Sequence, residues 1–574
     1  MLFKKTKKTV LVLVAMVLSA VLSACSNPLG LPEKGEVERF PAIEQRSNRV
    51  FTNPRGPKND ESPEDIVKGF FDAMPAGVQS DGFRVARDFL TSQAAHAWDG
   101  NSLYLVAFGE VTFVKRIRPL KGQSGDNEDY GVDADVRVKG QVDTRGQYSA
   151  AESGATRSLN YSLSKVEGQW RIDRAPNVVV ILDSDFEQVF RQVTLYRADS
   201  WSRYLLPDVR WFAWRDWRTM AVKELLNGDV AWLGGAIRNP NTHSAKLKVN
   251  AVPMDNDRAR ITLNSAFDQL SEADRALLVR QMRMTLGDGD TDYAMVVRTS
   301  SGQNYSDADS GLSIQEASAT TPVYSLSAGN IVSLDSSAPL RLGEVKGSEM
   351  AKGFVFGPDG GAILLNDSSV TCLKSNGDSC GPLFKGARLR QITGGIKDEI
   401  WGLSQDGSRL LVQDASGAMQ VFPLSWLGTV TSLAVSPDGA RLALAVQSGA
   451  SSGVVMVGVI RNQSGAATRI NNVVTRVSSR YGVSMLTFYN DITLVYGIPG
   501  NEGSATQGFR QVGPGPEQSQ RLPSGEVKCM TSGRISDISR LAALDSRGVV
   551  RSDSGALDES WTIVDTQSTV ISQR

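Results

Sequence analysis

Hydrophobic and polar positions change rhythm several times along this chain. Val10 to Val21 is apolar except for Ser19, and Lys4, Lys5, Lys7 and Lys8 precede it. A spanning helix needs about 18–20 apolar residues, so this run falls short. Asn27, Pro28 and Gly30 follow at once and break any helix. A basic start, a short apolar centre and small residues at its end predict an export signal over residues 1–24. Residues 25–60 hold no sustained period and are cut by Pro28, Pro32, Pro41, Pro54 and Pro57, which predicts a tether. At about 3.1 Å per residue when extended, it holds whatever follows tens of ångströms from its fixed end.

Helical spacing then begins. Ser62-Pro63-Glu64-Asp65 supplies an N-cap serine, proline at the first helical position and an acid at the third. Ile66, Val67, Phe70, Phe71 and Met74 repeat on one face, and Phe83, Ala86, Phe89 and Leu90 form a second such pattern. Alternating segments follow at Leu103–Ile117, Tyr130–Val142, Arg157–Val166 and Gln169–Ile172. Helices followed by a curved antiparallel sheet resemble the NTF2-like cone, an α+β fold, over residues 61–180. Next, Val193–Tyr196 and Leu205–Phe212 read as strands, and a helix ends at Lys223–Gly228. Lys246–Val249 and Arg260–Leu263 read as two more strands, separated by the turn Met254-Asp255-Asn256-Asp257. This order over residues 185–303 resembles the GerMN domain, an α+β module of binding or assembly. Leu225-Leu226-Asn227-Gly228-Asp229 and Ile261-Thr262-Leu263 stand where that family usually has Leu-Leu-x-Gly-Pro and Val-Asp-Leu.

After a linker at residues 304–320, short strands, glycines and turns take over through residue 574. Phe354–Leu365, Ile400–Leu411 and Leu433–Leu444 are alike: an apolar strand, an Asp-Gly turn and another apolar strand. Asp-Gly supplies the positive φ angles of a tight hairpin. Such hairpins recurring at roughly 40 residues mark a β-propeller. Weaker echoes at Met485–Val495 and Leu541–Val550 leave room for five to seven blades.

Composition narrows the chemistry. Hydrophobic residues at 41% and charged residues at 22% are globular values. The formal charge is balanced, and removing residues 1–24 takes away four lysines and no acids, so no basic surplus points to nucleic acid. The chain has four cysteines and two histidines, without a CxxC pair or an HExxH motif, so no zinc cage is recognisable and no metal or cofactor is expected. His96 and His243 lack an oriented partner in sequence and read as surface or structural side chains. Gly377-Asp378-Ser379-Cys380-Gly381 mimics a hydrolase elbow, but no histidine follows it and the setting is a propeller loop. Asp288, Asp290 and Asp292 imitate a calcium loop, yet Tyr293 and Thr299 stand where glycine and glutamate are required, so a solvated turn is expected. In an oxidising compartment Cys372 and Cys380 can join across a short loop, leaving Cys529 as the odd, buried thiol. Of the ten tryptophans, Trp201, Trp211, Trp214, Trp217 and Trp232 cluster in the middle domain. Core positions are expected for most, with one or two left as surface candidates for a sugar or partner platform.

Leu22-Ser23-Ala24-Cys25 closely resembles the bacterial lipobox. That resemblance implies cleavage between Ala24 and Cys25, S-diacylglycerol on the Cys25 thiol and an N-palmitoyl group on its new amino terminus. Two or more acyl chains anchor a protein firmly. The succession of lipobox, tether, NTF2-like domain, GerMN-like domain and propeller resembles the actinobacterial lipoprotein LpqB family. The resemblance implies a non-enzymatic lipoprotein of the cell membrane, facing the extracytoplasmic side. It implies association with the sensor kinase MtrB of the MtrAB two-component system, and so a role in cell-envelope homeostasis and division. The competing expectation is a module that binds an envelope polymer such as glycan or peptidoglycan.

Overall fold

Ser62 opens the first helix as its sequence dictates, its hydroxyl accepting the Asp65 N–H at 3.1 Å. The computed structural model describes residues 53–118, 129–307, 315–316, 321–337, 340–448, 452–501, 504–536, 538–555 and 560–573. The export signal, Ala24, Cys25 and most of the tether lie outside the described residues.

Helix α1 (Pro63–Ala76) buries Ile66, Val67, Phe70, Phe71 and Met74, the face its spacing predicts. Two short helices follow, α2 (Arg84–Asp88) and α3 (Ser92–Ala97). The sheet comprises β1 (Leu103–Ala107), β2 (Thr112–Arg118), β3 (Asp129–Asp143), β4 (Tyr148–Ala150), β5 (Thr156–Val166), β6 (Gln169–Arg174) and β7 (Val179–Leu182). Its order is β6-β5-β3-β1-β7, with β2 and β4 also paired to β3. Strand β3 is long enough to pair with β2 and β5 through one half and with β1 and β4 through the other. The inside of this mixed α/β domain is occupied by aromatic rings, with Phe70 5.1 Å from Trp98 and 6.1 Å from Tyr161. Each such buried ring is worth about 1.5–3 kcal/mol. Burial pushes the Tyr161 phenol well above its ordinary range.

Helix α4 (Phe186–Val189) leads into the middle domain, where β8 (Phe190–Ala198) pairs with β9 (Tyr204–Ala213). Helix α5 (Trp217–Asn227) ends at Gly228, whose φ of +70° only glycine adopts at little cost. Strands β10 (Met254–Asp255) and β11 (Arg258–Leu263) form a hairpin, with Asn256 and Asp257 both at positive φ. Helix α6 (Glu272–Leu286) crosses from β11 to its parallel neighbour β12 (Met295–Thr299), and β13 (Asn304–Tyr305) pairs with β12. Strand β14 (Gln315–Glu316) adds to β9. The linker region therefore contributes a strand to each of the two sheets of the middle domain. Lys246–Val249 makes only a bridge, Leu247 to Leu263, rather than a full strand.

Among the described residues six four-stranded sheets follow, which make six blades of a propeller. Residues 351–383, 389–423, 429–478, 485–520 and 527–565 form blades 2 to 6. Blade 1 combines Tyr324–Ser327, Asn330–Ser333 and Arg341–Glu344 with the C-terminal strand Ser568–Ile571, which pairs with Tyr324–Ser327 and closes the ring. The three Asp-Gly hairpins do not share one register. Those at Asp359 and Asp438 join the first and second strands of their blades, whereas that at Asp406 joins the second and third strands of blade 3. Every hairpin of a blade is apolar strand, turn, apolar strand, so the motif alone does not tell the two ends of the propeller apart.

Candidate functional site: the mouth of the propeller

At one end of the propeller the first turns of successive blades carry aspartates: Asp359, Asp398, Asp438 and Asp491. In blade 2 this turn requires Gly360, at φ +116°, where a Cβ would lie 2.3 Å from the Leu373 carbonyl oxygen. The middle domain packs on this end over blades 4 and 5. Leu206, Val230, Trp232 and Leu233 share one apolar cluster with Ala440, Ala443, Met456 and Phe488 of those blades. Arg441, almost wholly buried, pairs with Asp438 and donates to the carbonyls of Pro207 at 3.3 Å and Asp491 at 2.7 Å. Arg461 donates to both Glu399 oxygens at 2.6 and 2.9 Å, and its own carbonyl accepts the Ser200 hydroxyl at 3.2 Å. Trp211 donates its indole N–H to the Pro514 carbonyl at 3.0 Å. Through Arg145, which donates to Glu224 at 2.9 Å, the N-terminal domain joins the same body. A second buried ion pair set lies within the middle domain, where Asp208 accepts from Arg197 at 2.8 Å and Arg210 at 2.9 Å. Those guanidinium groups hold the Asp208 carboxyl below its ordinary range against the opposing effect of burial.

Over blades 2 and 3 the mouth stays open. A cavity of about 770 Å³ lies there, lined by Tyr204 of the middle domain and by Asp359, Lys374, Lys397, Asp398 and Asp414 of the propeller. Burial first and the neighbouring Asp359 carboxylate second raise the Asp398 carboxyl above its usual value. Lys397 lies 4.4 Å from the Trp201 ring and donates to the Ser464 carbonyl at 2.6 Å, which ties the cavity rim to the docked domain. The lining thus offers carboxylates, ammonium groups and glycine backbone to a polar partner.

The residues singled out from sequence fall in separate places. Cys372 and Cys380 form a disulfide, with Cα atoms 5.1 Å apart, in the outer hairpin of blade 2 at the cavity rim. Ser379 sits on the outer strand of that hairpin, without a helix behind it. Cys529 is half-buried rather than fully enclosed, and burial pushes its thiol up to about 12, so it stays protonated. His96 and His243 are exposed and contact only local partners, the Ser92 carbonyl at 3.3 Å and the Thr242 hydroxyl at 3.0 Å. Asp290 accepts the Asp292 N–H at 2.8 Å within a turn. Among the described residues no group of three or more His, Cys, Asp or Glu side chains is arranged to hold a metal ion. Trp211, Trp217 and Trp232 are buried, while Trp201 and Trp214 are half-buried, so the cluster serves packing before display. Asp398 at the mouth carried no sequence signal, and Asp359 read only as a turn residue.

Residues 56–187 match the model of the lipoprotein LpqB N-terminal domain, and residues 362–570 match that of the lipoprotein LpqB beta-propeller domain. Lipoprotein LpqB of Bifidobacterium longum (strain NCC 2705) is 46% identical over 562 residues, 97% of each chain. The chain belongs to the lipoprotein LpqB family. Within the LpqB family, the relative from Mycolicibacterium smegmatis is 23% identical over 501 residues, 80% of this chain and 81% of its own. Among solved structures, the propeller domain of Myceliophteria thermophila Cps50 (Swd1) is 13% identical, with a TM-score of 0.29, over 39% of this chain and 76% of that one. No helix among the described residues of this LpqB-family chain is long and apolar enough to cross a membrane.

Proposed function

We propose that this LpqB-family chain is a non-enzymatic extracytoplasmic protein, anchored to the cell membrane through acyl chains on Cys25. In this reading it modulates a membrane-bound sensor kinase of the MtrB type, and through it envelope homeostasis and division. The open half of the propeller mouth is the surface offered to the sensor's extracytoplasmic part. One observation carries this reading: the middle domain occupies the mouth over blades 4 and 5 and leaves a charged cavity of about 770 Å³ over blades 2 and 3. With one half covered, a partner meets only the open polar half, and this restricts its orientation. Anchoring to the same bilayer raises the effective concentration of the two proteins, so a weak contact suffices. The lining has no serine or cysteine nucleophile beside a histidine, and the disulfide consumes the cysteines that stand at its rim.

The test is co-purification of the mature chain with the sensor's extracytoplasmic domain. Asp359→Lys with Asp398→Lys reverses two rim charges and is expected to abolish capture while leaving the fold intact. Undiminished capture by this double variant would remove the mouth from the account.

A further inference from the structure

Among the described residues no element covers the outer face of the β10–β13 sheet, which carries a surplus of cations. Its inner face supplies Ala259, Ile261, Leu263 and Val297 to the core against α5 and α6. Register fixes what points the other way: Asp255 opposes Arg258, Arg260 opposes Val296, Thr262 opposes Arg298, and Arg298 opposes Asn304. Lys248 lies beside Thr262, donating its N–H to the Thr262 carbonyl at 2.8 Å. Lys248, Arg258, Arg260 and Arg298 are all exposed. They share the face with one carboxylate, Asp255, which pairs with Arg260. The arginines border a shallow cavity of about 480 Å³. The whole chain is formally neutral, so this surplus is local.

Cations spaced about 6.8 Å apart along one strand suit an array of phosphates. A chain held at a bilayer through Cys25 has the phosphates of anionic lipids within reach, and their surface potential favours such a cluster.

We propose that this sheet face docks on an anionic phospholipid bilayer, with Lys248, Arg258, Arg260 and Arg298 against the phosphates. The proposal rests on the anchoring through Cys25 proposed above and stands without the sensor contact. Residues 25–60, read from sequence as a tether, would at about 3.1 Å per residue when extended be long enough to let the middle domain reach the surface that the anchor occupies.

The test uses the chain from residue 26 onward, without acyl groups; the described residues begin at 53 and are untouched. Sedimentation is measured with vesicles of phosphatidylcholine alone and with roughly a third phosphatidylglycerol, the anionic fraction supplying the surface potential. Binding is expected only to the anionic vesicles and is expected to fall as salt shortens the Debye length. Each cation near such a surface is worth roughly fivefold, so R258A with R298A is expected to lower partitioning by roughly 25-fold. R258K with R298K is expected to retain it. Both sites are exposed, and an unchanged thermal unfolding midpoint shows that the fold is intact. Equal binding to neutral vesicles, or an unaffected alanine double variant, would overturn the proposal. Binding of soluble polyphosphate without binding of vesicles would overturn it too, and would assign the face to a polymer.

Discussion

Asp199 is a carboxylate in an unfavourable place. It lies at the end of β8, where the middle domain meets the propeller, and is 1% exposed. One oxygen accepts the Arg203 N–H at 2.7 Å; the other, Oδ2, has no hydrogen-bond partner. Burial raises its pKa from 3.8 to about 6, with the nearby Asp438 adding to the rise, while backbone hydrogen bonds at Arg203 and Tyr204 and the Arg461 guanidinium oppose it. Because the folded-state value lies above the unfolded one, the carboxyl imposes no penalty below about pH 4. The penalty grows between about pH 4 and pH 6, and stability is lost as pH rises through that window. At 1.36 kcal/mol per unit the full cost is at most about 3 kcal/mol. Asp199→Asn keeps an oxygen for the Arg203 N–H and never ionises. The variant is therefore expected to exceed the parent by about 1–3 kcal/mol at neutral pH and to match it near pH 4. Urea unfolding followed by tryptophan fluorescence at both pH values measures this, since Trp211 and Trp232 report on the interface. A variant equal to or weaker than the parent at neutral pH would refute the reasoning.

Arg441→Ala strands Asp438 under the middle domain; a loss of about 3–5 kcal/mol is expected. Calorimetry checks it, and the unfolding of the propeller and the middle domain should separate into two transitions. Replacing Cys372 and Cys380 by serine removes a cross-link of sequence separation 8. The expected cost is about 2–3 kcal/mol on the chain-entropy model, with faster hydrogen exchange confined to residues 370–383. Cys25→Ala is expected to release the protein from the membrane fraction without changing its circular dichroism, which fractionation measures directly.

Local chemistry was readable where a few neighbouring residues decide it. Ser62, Pro63 and the spacing of Ile66, Phe70 and Met74 specify α1 without help from distant parts of the chain. The Pro-Asp-Gly turns at 358–360 and 437–439 revealed the propeller because only a tight hairpin demands them. Closure of the ring was not readable, since Ser568–Ile571 pairs with a strand more than two hundred residues earlier. The place of Asp406-Gly407 in blade 3 was not readable, because an Asp-Gly turn looks the same at both ends of a blade. The tryptophans showed the same limit: Trp232 clusters with Ala440 and Met456, which are remote in sequence, so nothing local marked it as the ring that seals two domains together. The mouth is the extreme case. Asp359 and Asp398 become neighbours only once adjacent blades stand side by side, and no spacing rule anticipates that.

Hydrogen exchange on the mature chain, with and without the extracytoplasmic domain of an MtrB-type sensor, tests the central claim most directly. The account predicts protection at residues 357–361, 394–399 and 413–417, with blades 5 and 6 unchanged. Protection confined to other surfaces, or none at saturating sensor, would contradict it.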